Sequence, residues 1–293
     1  MRRLFVIFAL TILGASAPAL ADITLRYRAV VPQTAPAQVR ESPPTMTVDA
    51  DDAGQARIEM SAPPGAAGPP GAPAGDRAPS IALITREGVG YFALRGPQAG
   101  QELVARQEDA LALLAPLATG MASGSARTGV QEMMRQRVEV EPIREEVVAG
   151  LRGQVYRIVV ITGETRSPAV EIVVSNDPRL APAARELVRL VESLRGTLVA
   201  AMGGEPPVYG AVRTLLGHGI PLRIGAVFVL DSFSTADIPD SRFALPGPVL
   251  TREQLGQIMG AMMGGRPPAG GSPPAQGAPP PPPPPSGTPP PPQ

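Results

Sequence analysis

His218 is the only imidazole in the chain, so proton transfer by a side chain near neutrality would rest on it. A general base needs a nucleophile or metal-bound water to act on. No Gly-x-Ser-x-Gly elbow, no His-Glu-x-x-His pair and no second histidine accompanies it. Flanked by Gly217 and Gly219, it reads as a loop residue with a structural or exposed role. Cysteine is absent, which removes disulfides, thiol nucleophiles and thiolate metal sites together. All 26 basic residues are arginine, so Schiff-base and P-loop lysine chemistry are excluded as well.

Two acidic groups invite a closer look. Asp49, Asp51, Asp52 and Gly54 begin like a calcium loop, but Ala53 stands at position five and Met60 at position twelve, where a bidentate glutamate belongs. An Asp/Gly-rich hairpin turn accounts for the same residues. Glu145 and Glu146, after Arg144, are a pair of carboxylates. On a strand, neighbours point to opposite faces and cannot converge on one bond. Aromatics make up 3% of the chain, with no tryptophan, which argues against stacking platforms for sugars or single-stranded nucleic acid. Tyr27, Tyr91, Phe92 and Tyr156 are expected in the core. The side chains thus offer no catalytic residue, no metal site and no cofactor site, and a non-enzymatic protein is expected.

Residues 1–21 have the form of a signal peptide. Arg2 and Arg3 precede the apolar run Leu4 to Leu13, and Ala19 and Ala21 are the small residues of a cleavage site. The run is about half the ~20 residues needed to span a bilayer, and no later run is longer. An exported, periplasmic or secreted protein that does not span the membrane follows as the expectation. Without Arg2 and Arg3 the chain has 24 basic against 26 acidic residues, a formal charge of −2. That balance excludes nucleic acid as an obvious partner.

Residues 22–263 read as one domain. Residues 264–293 are a Pro-rich tail, with prolines at 279–285 and 289–292, too poor in apolar surface to offset its ordering entropy. Residues 62–80 form a flexible Pro/Gly-rich insertion. Elsewhere the main signal is strand. Ile23, Leu25, Tyr27, Ala29 and Val31 alternate with polar residues, and Ala56, Ile58 and Met60 do the same. Met46 and Val48 are expected to pair with that second segment across the Asp49–Gly54 turn. Glu87-Gly88 sits between two strands as a hairpin signal, and further strands are expected at Val138–Val140, Val155–Ile161, Val170–Val174 and from Pro221. Helices are expected at Gln101–Leu114, at Arg185–Met202 and after Thr251. The second has Leu187, Leu190, Val191, Leu194 and Leu198 at helical spacing, Asp177-Pro178 ahead of it and Gly203-Gly204 behind. Thr251 and Gln254 form a capping box for the third. The fold class is α+β, a mainly antiparallel sheet covered by two or three helices.

Several short motifs carry a family resemblance: Ile23-Thr24-Leu25-Arg26-Tyr27, Gly153 with Tyr156, the strand Val170–Val174 leading into the Leu187–Leu198 helix, and Gly219-Ile220-Pro221-Leu222-Arg223 followed by Ile238-Pro239, Phe243 and Leu245-Pro246. In these the chain resembles uncharacterised exported bacterial proteins with a LolA/LolB-like, lipoprotein-carrier-like fold. The resemblance implies a curved half-barrel sheet around helices, with an apolar hollow for a lipid-like ligand or an apolar partner segment. It transfers no site residues, so the ligand-binding residues are unknown at this point. The alternative expectation is an envelope scaffolding or interaction protein with a filled core and a Pro-rich spacer arm.

Overall fold

Strand β1 (Ile23–Ala29) shows the alternation most plainly: Ile23, Leu25 and Tyr27 are buried, while Arg26 and Arg28 are exposed. In the computed structural model, which describes residues 22–62, 79–96, 102–113 and 126–264, this strand lies within one thirteen-stranded sheet. The expected signal segment, residues 63–78 of the insertion and the tail from 265 onwards lie outside the described residues. The chain divides into two compact units, Met1–Leu255 and Gly256–Gln293. The sheet and its cores belong to the first.

Chain order runs from β1 through the short helix α1 (Ala37–Glu41) to β2 (Thr45–Ala50), β3 (Ala56–Ser61), β4 (Ser80–Arg86), β5 (Val89–Arg95) and β6 (Glu102–Arg106). Residues 107–113 form α2. Then come α3 (Ala126–Met134), β7 (Arg137–Val148), β8 (Leu151–Thr162), β9 (Thr165–Arg166), β10 (Val170–Ser175), α4 (Ala181–Met202) and α5 (Pro207–Gly217). The last elements are β11 (Ile220–Ile224), β12 (Phe228–Ser234), β13 (Val249–Leu250) and α6 (Arg252–Gly264). Across the sheet the order is β13-β6-β5-β4-β3-β2-β1-β12-β11-β10-β8-β7, with β9 on β8. Every pairing is antiparallel except β13 with β6. The sheet is curved and unclosed. Register shifts at Arg26/Tyr27, Pro142/Arg144 and Val173/Val174 supply bends of the kind that bulges impose.

The expected pairings are present. Met46 faces Met60 and Val48 faces Ile58 across β2 and β3, and β4 returns through Glu87-Gly88 into β5. Helix α4 forms where the leucine spacing predicts. Asp177 accepts the Arg179 N–H at 3.0 Å to cap a 3₁₀ turn (Pro178–Leu180) that leads into it, and Gly203 closes it in the left-handed region at φ 74°. Its Leu187 and Leu190 pack on a core made by Leu25, Tyr27, Val48 and Leu222. Full burial of each such aliphatic side chain contributes roughly 1.5–3 kcal/mol. A second core, Ala82, Ile84, Ala93 and Val104, lies under Leu245. Gly219, at φ 140°, has no substitute: a Cβ there would stand 2.0 Å from the Ser175 carbonyl oxygen, where α5 turns into β11.

Three expectations are corrected. Six helices, not two or three, occur among the described residues; the additional α1, α3 and α5 are short and depend on docking more than on their own periodicity. Helix does not cover Gln101–Leu114: Glu102–Arg106 instead pairs with β5, burying Val104 and Ala105 on its two sides, before the chain turns helical at 107. Of the four aromatics assigned to the core, only Tyr27 is fully buried, whereas Phe243 and Tyr209 are buried without having been assigned to it.

Candidate functional site

The residues that first suggested chemistry are dispersed by the fold. His218 caps the C-terminus of α5, donating its backbone N–H to the Leu215 carbonyl, and its ring stacks on Tyr156 with centroids 5.5 Å apart. Asp49, Asp51 and Asp52 are spent on structure or left in solvent. Asp49 accepts from the Thr24 hydroxyl at 2.8 Å and from Arg242 at 2.7 Å. Asp51 accepts from the Gln55 backbone at 2.6 Å, closing the β2–β3 turn, and Asp52 is exposed. Among the described residues no group of three or more His, Asp or Glu is placed to hold a metal ion. Glu145 and Glu146 diverge: Glu145 reaches Arg152, while Glu146 joins Arg144, Arg223 and Glu171. Hydrogen bonds from Arg144, with help from Arg223, hold the Glu171 carboxyl at about 2, a charge ladder on an exposed face. Burial pushes the Tyr27 phenol up, and its hydroxyl donates to the Pro221 carbonyl at 2.9 Å. None of these arrangements joins a nucleophile to a base.

The feature that stands apart is apolar. On the sheet face that carries α4, side chains line up in register across six strands. One row runs Tyr27, Met46, Met60, Ile81, Leu94 and Leu103; the next runs Leu25, Val48, Ile58, Leu83, Phe92 and Ala105. Helix α4 packs on β1 and β2, and the rows are buried there. Towards β6 the first row emerges into solvent, with Met60 45%, Ile81 46% and Leu94 43% exposed. Three large apolar side chains on consecutive strands form a contiguous patch rather than scattered exposures.

Between α4 and strands β3 to β5 the second row borders a pocket of about 170 Å³, walled by Ile58, Leu83 and Leu190 and closed by polar groups. There Gln107 donates to the Ser193 hydroxyl at 2.5 Å, and Glu186, 5% exposed, accepts from Arg189 at 2.8 and 2.9 Å. Burial raises the Glu186 carboxyl above its usual range despite the nearby Arg189. The apolar patch escaped the sequence reading, although Ile81-Ala82-Leu83-Ile84 carries a signal for it. A strand apolar on both faces needs cover on both, and here one cover stops short.

Neither a scan against protein-family models nor a search of curated proteins gives a match to this chain.

Proposed function

We propose that the chain is a non-enzymatic exported protein, periplasmic or secreted, that binds a lipid-like ligand along the uncovered rows of its α4-side sheet face. The observation that carries this reading is the in-register exposure of Met60, Ile81 and Leu94 beside Leu83 and Phe92. An acyl chain laid on such a strip gains ~0.8 kcal/mol per buried methylene, so several together give measurable affinity. The open, curved, mainly antiparallel sheet is the kind of scaffold that the LolA/LolB-like resemblance implies, with an apolar surface for acyl chains. The chain needs no cofactor for this role, and the site residues are those of the two rows.

The test uses full-length protein, expressed with its own N-terminus and purified gently, with retained lipid identified by native mass spectrometry and uptake of a hydrophobic dye measured. Ile81→Asp and Leu94→Asp alter side chains already half in water, so both variants are expected to fold and to bind about tenfold more weakly or worse. A second reading, an envelope scaffold with a filled interior, is favoured by the packing beneath α4, where the pocket bordered by the described residues is small, about 170 Å³. Wild-type protein that carries no lipid and takes up neither fatty acid nor dye would leave the scaffold reading in place.

A further inference from the structure

On the opposite face of the same strands, where β1, β2 and β12 meet, the strand side chains are mostly polar, with Phe233, Ala236, Ile238 and Pro239 as apolar lining. An open groove of about 830 Å³ runs along it, overhung by residues 236–242. Register pairs Arg28 with Thr45, Arg26 with Thr47 and Thr24 with Asp49 on one side. On the other side, Arg26 faces Ser232 and Thr24 faces Ser234. The overhang is fixed: the Ile238 N–H donates to Asp22 at 2.6 Å, and Arg242 donates to Asp49. The floor is therefore rigid strand and the wall is pinned to it.

Charge is balanced at both ends of this floor but not in its middle. Arg28 pairs with Asp231 at 3.2 Å, and Arg242 pairs with Asp49 and Glu59. The bulge opposite Arg26/Tyr27 accounts for the first pair. Ser232 faces Arg26 and Leu230 faces Tyr27, so Asp231 is an extra residue, turned into the groove beside Ser232. Arg26, exposed on the central row, forms no ion pair among the described residues, and the residues on either side of it are hydroxyl donors. Asp237 on the wall also forms no ion pair among them.

We infer that this groove binds a polar ligand bearing a single oxyanion, a carboxylate or a phosphate, seated on the Arg26 guanidinium between the Thr47 and Ser232 hydroxyls. The planar guanidinium fork matches either oxyanion with two parallel hydrogen bonds, and the hydroxyls supply further donors from each side. The Asp237 carboxylate on the wall disfavours a polyanion and so restricts the class. This site is independent of the lipid reading, because it lies on the other face of the sheet.

Full-length protein is titrated at low salt with inorganic phosphate and, separately, with acetate, and amide shifts or heats are followed to saturation. Saturable binding of at least one is expected, and which one binds identifies the oxyanion the ligand carries. Arg26→Gln should weaken it about tenfold or more, since a hydrogen-bonded charge is lost. Thr47→Ala with Ser232→Ala should cost less, and Ile81→Asp, on the far face, should cost nothing. Arg26→Lys, which keeps the charge but not the fork, should fall between wild type and Arg26→Gln, and it serves as the second variant should Arg26→Gln fail to fold. No saturable binding of either anion, or binding that survives Arg26→Gln in a folded protein, overturns the inference.

Discussion

Glu186 shows what one residue does when the fold denies it water. Burial raises its carboxyl, and Arg189, itself half in solvent, offsets only part of that. An acid whose folded-state affinity for its proton exceeds the unfolded value stabilises the fold most below the unfolded value, and that stabilisation is lost as pH rises through the folded one. Glu186→Gln keeps the size and an acceptor for Arg189 without the buried charge. Its thermal midpoint should therefore exceed that of wild type at pH 7, and the difference should shrink as pH falls below the ordinary carboxylate range. Thermal melts of both proteins across a buffer series check this; a variant less stable at pH 7 would show that the Arg189 pair outweighs the burial. Glu171 works in the opposite sense. Held at about 2 by Arg144 and Arg223, its contribution is present above the ordinary range and is lost as pH falls towards 2.

At the scale of elements, local chemistry decided the turns and tertiary pairing decided the rest. The β7–β8 hairpin closes through Ala149 and Gly150 at φ 50° and 80°, both left-handed, with Val148 opposite Leu151. That is the turn for which Asn-Gly is preferred, and alanine at the first position bears a cost of roughly 1–2 kcal/mol. Ala149→Asn should raise stability by about 0.5–1 kcal/mol, read as a higher urea midpoint at unchanged slope. The same logic made Glu87-Gly88 legible in the sequence, and it made the Thr251 capping box legible too. There Gln254 accepts the Thr251 N–H at 2.9 Å and returns its own N–H to the Thr251 hydroxyl at 3.3 Å. β6 was not legible, because Glu102–Arg106 runs straight into the helical residues 107–113 and becomes strand only by taking the free side of β5. The polar groove was half legible. The alternation placed Thr24, Arg26 and Arg28 on one face, but the bulge that turns Asp231 towards Arg28, so that Arg26 has no ion pair among the described residues, has no signature in the run Leu230-Asp231-Ser232.

A sheet that does not close has two ends, and this one guards each differently. At one end β13 is two residues long and lies parallel on β6, too short to template another chain. At the other, β7, a strand of twelve residues, pairs among the described residues with β8 alone, a length that invites a second copy or an aggregate. Two features oppose that. Pro142 sits mid-strand at a register shift and offers no N–H, and Glu139, Glu141, Glu145 and Glu146 put negative charge along the strand. Glu141 and Glu145 meet Arg157 and Arg152 only at 3.8 and 3.7 Å on exposed surface, so their loss should cost the fold little, within about 0.5 kcal/mol each. Replacing Pro142, Glu141 and Glu145 together with valine restores a donor and removes two charges while raising strand propensity. The expected product is a folded chain, with circular dichroism like that of wild type, that elutes as dimers or larger species under light scattering at concentrations where wild type does not. Unchanged elution of the triple variant would mean that another element shields β7, and α5, which contacts that strand, is the one to remove from it next.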